Sequence, residues 1–110
     1  MPIENWSETI SVVHLADDPQ FTEDLDSLFF SLKQKKTGAI LDFAGVHYVN
    51  SSNIARLLKL RKQMISQDCR MLLCSMSNQV WGVFLITGLD KVFEFGDNVP
   101  LALAMMQIGK

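Results

Sequence analysis

The segment AILDFAGVHYVNSSNIARLLKL, residues 39–60, carries the features that decide the fold. Residues 39–43 are mostly apolar, which is typical of a short strand buried on both faces of a sheet. Gly45 then turns the chain, residues 46–49 stay extended, and the serines at 51–52 open a helix. Because a buried strand that leads into a helix is the building unit of α/β proteins, we expect a largely parallel sheet covered by helices.

The amino-terminal side of this segment predicts another strand and another helix. Residues 9–15 are rich in β-branched side chains and indicate a strand, which precedes the regular alternation and so can pair antiparallel at a sheet edge. Asp18 is a candidate cap for the helix that follows, Pro19 suits its first position, and Gly38 can end it. The apolar face of this helix consists of Phe21, Leu25, Leu28, Phe29 and Leu32.

The carboxyl-terminal side continues the alternation of strands and helices. Asn78 is a candidate helix cap and Gly88 a candidate helix stop. The chain contains no repeat and no linker, so we predict a single α/β domain over residues 1–110. Its sheet is expected to be mixed but mainly parallel, with about four to five strands flanked by about four helices. The predicted elements on this side are a strand at 70–74, a helix at 80–86, a strand at 92–95 and a helix at 100–106.

Composition limits the class of protein. The chain has 110 residues, of which 48% are hydrophobic and 20% are charged, and its net charge is -2. These values are typical of one small domain with a packed core, and they give no electrostatic reason to expect nucleic acid or an anionic membrane as a partner. The first residues lack a secretory signal pattern and no run approaches ~20 apolar residues. Cys69 and Cys74 are typical of buried thiols in a reducing compartment, so we expect a cytoplasmic protein.

The sequence contains no recognisable catalytic or metal-binding pattern. His14 and His47 are the only histidines, and neither has sequence neighbours at the spacing of a metal site or a catalytic pair. Since Gly-rich phosphate-binding motifs are also missing, we expect no enzyme activity, no metal and no cofactor. A solvated helix face is the favoured interpretation of one basic cluster, although a partner surface remains an alternative. This cluster comprises Arg56, Lys59, Arg61 and Lys62.

The serine pair has two physical interpretations. Ser51 and Ser52 lie where a helix begins, and a serine there commonly accepts a hydrogen bond from a free backbone N–H group. The same position tolerates a phosphoryl group, because the free N–H groups and the positive end of the helix dipole face the added anion. A phosphoryl group would add about 1.5–2 negative charges to the surface. Physical reasoning alone favours the cap and leaves phosphorylation as the alternative.

Several segments, taken together and in order, resemble the STAS domain family. Residues 40–46 are similar to the strand signature of the family, and residues 49–54 are similar to the D-S-S-G-L motif that opens its following helix. Residues 83–93 resemble the L-x-x-T-G-L-D-x-x-F segment, and Asp97 with Ala102 fits the end of the pattern. The resemblance extends over nearly the whole chain with its spacing intact. It implies a STAS-like fold, in which a mixed sheet is flanked by helices.

The resemblance also implies a function and a set of site residues. Within the family, anti-sigma factor antagonists bind a serine-kinase anti-sigma factor or a related ATPase-type protein, and the kinase phosphorylates the first serine of D-S-S-G. That serine corresponds to Ser51, with Ser52 beside it as the helix cap. The resemblance therefore implies a regulatory protein whose partner binding is controlled by phosphorylation of Ser51. The implied partner-binding residues are Asn50, Ser52, Asn53, Arg56, Asp17 and Asp18.

Two departures from the family pattern support other hypotheses. Asn50 stands where the family prefers Asp, and Asn53 stands where it has Gly. These changes favour, as an alternative, a STAS scaffold that is never phosphorylated or a sensory interaction module in a larger signalling assembly. Small-molecule or nucleotide sensing is a third hypothesis, although the sequence contains no phosphate-binding loop. The sequence leaves the identity of the partner, the regulated process and the oligomeric state open.

Overall fold

The computed structural model describes residues 3–108, which form one five-stranded sheet and four α-helices. The strands lie in the order β1-β2-β3-β4-β5, with β1 antiparallel to β2 and all other neighbours parallel. A short 3-10 turn, Leu89–Lys91, precedes the last strand. The strands are β1 (Ile3–Asn5), β2 (Ile10–Ala16), β3 (Gly38–Gly45), β4 (Met71–Cys74) and β5 (Glu94–Gly96). The helices are α1 (Gln20–Gln34), α2 (Ser51–Ser66), α3 (Asn78–Ile86) and α4 (Val99–Ile108).

This architecture confirms the predicted α/β class with a mixed, mainly parallel sheet. The expectation that the strand at residues 9–15 can pair antiparallel at a sheet edge is confirmed for the antiparallel pairing, which β2 makes with β1, and is wrong for the edge position. These residues become β2, which lies inside the sheet and runs parallel to β3, with Val13 opposite Leu41. The physical reason is that α1 is long enough to return the chain to the same end of the sheet, as a parallel crossover requires. The antiparallel edge is instead β1, which is too short to show a strand pattern in the sequence.

Smaller differences occur at the ends of elements. Ser77, rather than Asn78, caps α3, because its hydroxyl accepts a hydrogen bond of 3.2 Å from the backbone N–H of Val80. The last strand begins at Glu94 instead of residue 92, because the N–H of Val92 still donates to the carbonyl of Leu89 in the 3-10 turn. Such shifts of one or two residues are usual at the ends of elements.

Side chains of the sheet form two hydrophobic cores, one on each face. Successive residues of a strand point to opposite faces, so Leu41 and Phe43 of β3 pack with α1, α2 and α3, whereas Ile40 packs with α4. All three of these side chains are fully buried. Because both faces of β3 are covered, this strand is apolar almost throughout, as its sequence predicted. The sheet therefore gives its flanking loops a rigid base.

Phe84 of α3 lies at the centre of an aromatic cluster that fixes α3 on the sheet. Its ring centroid is 6.4 Å from that of Phe43, 6.0 Å from that of Phe93 and 5.7 Å from that of Phe95. All three contacts are edge-to-face, the arrangement that the quadrupoles of aromatic rings favour. The cluster joins a helix to two strands, so it contributes strongly to tertiary stability.

We predict that Phe84→Ala lowers the free energy of unfolding by about 3–5 kcal/mol, because it removes buried apolar surface and leaves a cavity. Ile86→Ala on the same helix is the matched control. Ile86 is 89% exposed, so the expected change is within about 0.5 kcal/mol. Urea unfolding measures both values. Equal destabilisation by the two variants would contradict the assignment of Phe84 to the core.

A polar bridge crosses three strands on the face that carries α4. Nδ1 of His14 on β2 lies 2.7 Å from Oδ2 of Asp42 on β3, and Nε2 lies 3.1 Å from Oε1 of Glu4 on β1. Hydrogen bonds from the ring to Glu4 and to Asp42 raise the pKa of His14 above its usual 6.5. The protonated ring can donate to both carboxylates at once. His14 therefore attaches the edge strand to the interior of the sheet.

This bridge predicts a dependence of stability on pH. Because the pKa of His14 is raised in the folded protein, its stabilising contribution is fully present below pH 6.5 and is lost as the pH rises through the folded pKa. The difference in free energy of unfolding between the wild type and His14→Gln should therefore shrink between about pH 5 and about pH 8. Urea unfolding across this range measures it. A difference that stays constant with pH would contradict the bridge.

Candidate functional site

The candidate site lies at the carboxyl ends of β2 and β3. The aspartate loop, residues 17–19, joins β2 to α1, and the serine loop, residues 46–53, joins β3 to α2 and includes the first residues of that helix. Parallel neighbours in a sheet place the loops that follow them side by side, and ligands of α/β proteins commonly bind at this end. The two loops are in contact here, as their hydrogen bonds demonstrate.

Two asparagines cap the start of α2. Oδ1 of Asn50 accepts a hydrogen bond of 2.8 Å from the backbone N–H of Asn53, and Oδ1 of Asn53 accepts one of 3.0 Å from the backbone N–H of Asn50. The expectation that Ser52 caps the helix is therefore wrong. Its Oγ instead accepts a hydrogen bond of 3.1 Å from Nη1 of Arg56, one turn further along α2. Asn is as good a cap as Ser, which explains why the sequence alone did not distinguish them.

Asp18 connects the serine loop to the start of α1. Its Oδ1 accepts hydrogen bonds from the backbone N–H of Thr22 at 3.0 Å and from the hydroxyl of Thr22 at 2.7 Å. Its Oδ2 accepts from Nδ2 of Asn53 at 2.8 Å. Hydrogen bonds from Asn53 and Thr22 hold the pKa of Asp18 below its usual value. Asp18 thus acts as the predicted cap, while Pro19 occupies the N-cap position just before Gln20 rather than the first helical position.

Asp17 makes a second connection between the loops. Its Oδ1 accepts a hydrogen bond of 2.7 Å from the backbone N–H of His47, and its Oδ2 lies 2.8 Å from Nδ1 of the same residue. These hydrogen bonds lower the pKa of Asp17. The sequence analysis did not give His47 a role, because its partner is distant along the chain. The only signal available in the sequence was that each residue follows a predicted strand, and the parallel pairing of those two strands is visible only in the structure.

Ser51 is the first residue of α2, and it is exposed. Within residues 3–108, no other side chain or backbone group forms a hydrogen bond with its hydroxyl. Asn50 already provides the cap, so the Ser51 hydroxyl is available to solvent or to a partner. The first turn of α2 also contains no acidic residue that would repel an anion. This position can accept a phosphoryl group without displacing a described contact.

Arg56 supplies the positive charge nearest to the serine pair. Its Nε donates to Oδ1 of Asp26 on α1 at 3.2 Å, in addition to the bond from Nη1 to Ser52. Both side chains of the ion pair with Asp26 are substantially exposed, so this pair contributes little to stability. The ion pair instead fixes the position of the Arg56 side chain, because it holds the guanidinium group beside the start of α2.

The structure brings the predicted partner-binding residues together, with one important difference in exposure. Asn50 and Ser52 flank Ser51 in the chain, Asp18 of the aspartate loop accepts hydrogen bonds from Asn50 and Asn53, and Arg56 lies about one turn further along α2. Asn53 is only 1% exposed, so its side chain organises the loop from inside and does not extend from the surface as expected. The side chain that Asn53 has in place of the Gly of the family motif therefore donates a hydrogen bond to Asp18.

Within residues 3–108, no group of His, Cys, Asp or Glu side chains is placed to hold a metal ion. In the same range, no helix has both the length and the apolar character that crossing a bilayer requires. An open cavity of about 950 Å³ lies at the opposite end of the sheet, beside Ile10, Gly38 and Arg70. Its position separates it from the loops that hold Ser51.

Comparison with known proteins identifies the family. A sequence profile of the STAS domain matches residues 18–102, and the chain therefore belongs to the STAS domain family. This match confirms the resemblance inferred from the serine motif and the segments around it. A comparison with proteins of curated function found no match.

Solved structures of other proteins share the fold. A putative anti-sigma factor antagonist from Thermotoga maritima is 15% identical, covers 96% of this chain and 93% of its own, and has a TM-score of 0.85. An anti-sigma-factor antagonist (STAS) domain protein from Planctomyces limnophilus is 19% identical, with 96% and 97% covered and a TM-score of 0.81. The anti-sigma factor antagonist SpoIIAA in its unphosphorylated form is 17% identical, with 98% and 96% covered and a TM-score of 0.81. These likenesses confirm the STAS-like fold.

The capping arrangement predicts different roles for neighbouring polar residues. Asn50→Ala should lower the free energy of unfolding by about 1 kcal/mol, because it removes the acceptor for the N–H of Asn53. Ser52→Ala, the control, should change it by less than about 0.5 kcal/mol, because only an exposed bond to Arg56 is lost. Urea unfolding measures both. A larger effect of Ser52→Ala would indicate that Ser52 is the cap.

Proposed function

We propose that this protein is a partner-switching regulator of the anti-sigma factor antagonist type. In this proposal it binds a serine-kinase anti-sigma factor, or a related ATPase-type protein, and releases it when Ser51 is phosphorylated. The observation that carries the proposal is the exposed hydroxyl of Ser51 at the first residue of α2, next to a cap that Asn50 provides. The three similar structures, all described as anti-sigma factor antagonists, support this class of function.

The proposed partner surface is centred on the start of α2. Asn50, Ser51 and Ser52 are exposed there, and the guanidinium group of Arg56 lies beside them. Asp17 and Asp18 hold the serine loop in place, so they contribute mainly by fixing the shape of this surface. A partner that packs against Ser51 would bury its hydroxyl. Phosphorylation would then oppose binding through both added volume and added charge.

The charges around Ser51 support release after phosphorylation. The lowered pKa values of Asp17 and Asp18 keep both carboxylates ionised at neutral pH. A phosphoryl group would add about 1.5–2 further negative charges to a surface that already carries these two. The positive end of the α2 dipole offsets part of this charge inside the domain, so the fold is retained. An acidic or closely packed partner group at the same place is repelled.

The reaction itself belongs to the partner in this proposal. Oγ of Ser51 forms a bond to the γ-phosphorus of ATP, the bond from that phosphorus to the β-phosphate bridging oxygen breaks, and ADP leaves. The serine proton passes to a base of the kinase. This chain then supplies only the acceptor hydroxyl, and we assign it no catalytic residue, metal or cofactor of its own. ATP-dependent phosphorylation of this kind places the proposed cycle in the cytoplasm.

A second candidate function is a STAS scaffold that is never phosphorylated, such as an interaction module in a larger signalling assembly. The observation that favours it is the closed set of hydrogen bonds among Asn50, Asn53 and Asp18. These bonds hold the serine loop in one conformation, as a permanent docking surface requires. The two functions differ in one measurable property, which is the response of partner binding to charge at Ser51.

We predict that incubation with ATP and the anti-sigma factor kinase of the same organism places one phosphate on Ser51, as detected by mass spectrometry. Ser51→Asp should weaken binding to that kinase by at least about tenfold, equivalent to about 1.4 kcal/mol in isothermal titration calorimetry. Ser51→Ala should bind like the wild type and accept no phosphate.

Ser52→Asp is the matched control, because it adds the same charge one residue further along. Its carboxylate can pair with Arg56, so a smaller loss of affinity is expected. Stable binding that is insensitive to Ser51→Asp, together with no phosphate on Ser51, would reject the regulator and favour the scaffold. Phosphate on Ser52 alone would reject the assignment of the acceptor residue.

A further inference from the structure

A second surface, away from the serine loop, concentrates positive charge on two neighbouring helices. The carboxyl-terminal halves of α1 and α2 carry no acidic residue. The last acidic residue on α1 is Asp26, and α2 contains none. Within residues 3–108, none of the lysines here forms an ion pair with a carboxylate. This lysine surface consists of Lys33 on α1, Lys35 and Lys36 directly after α1, and Lys59 and Lys62 on α2, all of them exposed.

One lysine from each helix lies over the same aromatic ring. Nζ of Lys33 lies 5.0 Å from the centroid of Phe29, and Nζ of Lys59 lies 4.6 Å from the same centroid. The two ammonium groups are therefore closer to each other than the Debye length of about 10 Å at 0.1 M salt, so they repel each other. The attraction of each ammonium group to the ring is that of an exposed cation–π contact, which is weak. An added anion would interact favourably with both.

The arrangement of the helices keeps these charges together. Nε2 of Gln63 on α2 donates to the carbonyl of Phe29 at 3.2 Å, and Nε2 of Gln67 donates to the carbonyl of Leu32 at 3.2 Å. These side-chain bonds tie α2 to the backbone of α1 directly beside Lys33 and Lys59. The lysine surface is thus preorganised rather than assembled from independent flexible elements, which lowers the entropic cost of binding.

Apolar side chains border the same surface. Phe30 is 65% exposed and lies three residues before Lys33 on α1, while Leu58 is 39% exposed and lies four residues before Lys62 on α2. Residues at these spacings are neighbours on a helix surface. Charged and apolar groups are therefore adjacent. A ligand that matches both must carry negative charge together with apolar side chains.

We propose that the lysine surface binds an acidic segment of a partner protein in which carboxylates alternate with apolar side chains. Charge complementarity with the five lysines, which form no ion pair within residues 3–108, supplies the anionic requirement, and Phe30 supplies the apolar one. An extended polyanion fits less well, because the amino-terminal half of α1 presents the carboxylates of Glu23 and Asp26. The net charge of the chain, -2, also opposes it. A short acidic segment avoids that repulsion, whereas a nucleic acid strand or a membrane plane extends across it.

This surface is distinct from the site at Ser51. Lys59 lies roughly 12 Å further along α2, at about 1.5 Å per residue. The inference therefore does not rest on the phosphorylation proposal, and the two can be tested separately. Ser51→Asp is expected to leave binding at the lysine surface unchanged when it is measured at about 0.15 M salt, where the Debye length of about 8 Å is shorter than this separation.

The test is fluorescence anisotropy with a labelled peptide that alternates glutamate and leucine. We predict that Lys59→Glu weakens binding about tenfold at low ionic strength, and that Lys91→Glu, the matched control outside this surface, weakens it less than about twofold. Phe30→Ser should weaken binding of this peptide but leave binding of an all-glutamate peptide unchanged, because only the former has leucines to contact Phe30. Binding should fall as salt is added.

Several results would overturn the proposal. No binding of the peptide, or equal loss in Lys59→Glu and Lys91→Glu, would indicate that the lysines form an ordinary solvated face. Tighter binding of a labelled thymidine oligonucleotide, or of vesicles containing phosphatidylserine, with loss in Lys59→Glu, would assign the surface to a nucleic acid or a membrane instead. Circular dichroism of each variant excludes unfolding as the cause of any loss.

Discussion

The hydrogen bond from Asn53 to Asp18 is the interaction on which the arrangement of the candidate site depends. It joins the loop after β3 to the loop after β2, and its donor is almost completely buried. A bond to a charged acceptor contributes about 1.5–3 kcal/mol, and removing one partner leaves the other unpaired. Because the same Asn53 also closes the cap with Asn50, one side chain fixes both the start of α2 and its place beside α1. The position of Ser51 follows from this.

The secondary structure was largely predictable because it depends on local pattern. The apolar run of β3 and the helical spacing of the apolar residues in α1 indicate both elements directly, and the structure buries Leu41, Phe21 and Leu28 as those patterns require. The edge strand β1 was missed because a strand of three residues, Ile3–Asn5, is too short to show alternation. Its existence depends on pairing with β2, which is a tertiary contact.

The details of the candidate site were less predictable because they depend on contacts between distant residues. Asn50, Ser51 and Ser52 are all good capping residues, so local propensity does not choose among them. The choice comes from Asn53, whose amide must reach Asp18 while its oxygen faces the start of the helix. The pairing of Asp17 with His47 likewise required knowledge of which strands are neighbours. The sequence was sufficient to predict that Ser51 lies at the start of a helix. The contacts around Ser51 depend on which strands are neighbours in the sheet.

The short edge strand has a further consequence for the behaviour of the protein at high concentration. β2 is seven residues long and mostly apolar, and only three residues of β1 cover its outer side. If β1 detaches, the unpaired backbone groups of β2 become a template to which strands of other molecules can add. The attachment of Glu4 to His14 therefore does more than join two strands. By holding β1 in place it keeps the outer edge of β2 covered against intermolecular sheet growth, and the strength of this hold depends on the protonation of a single imidazole.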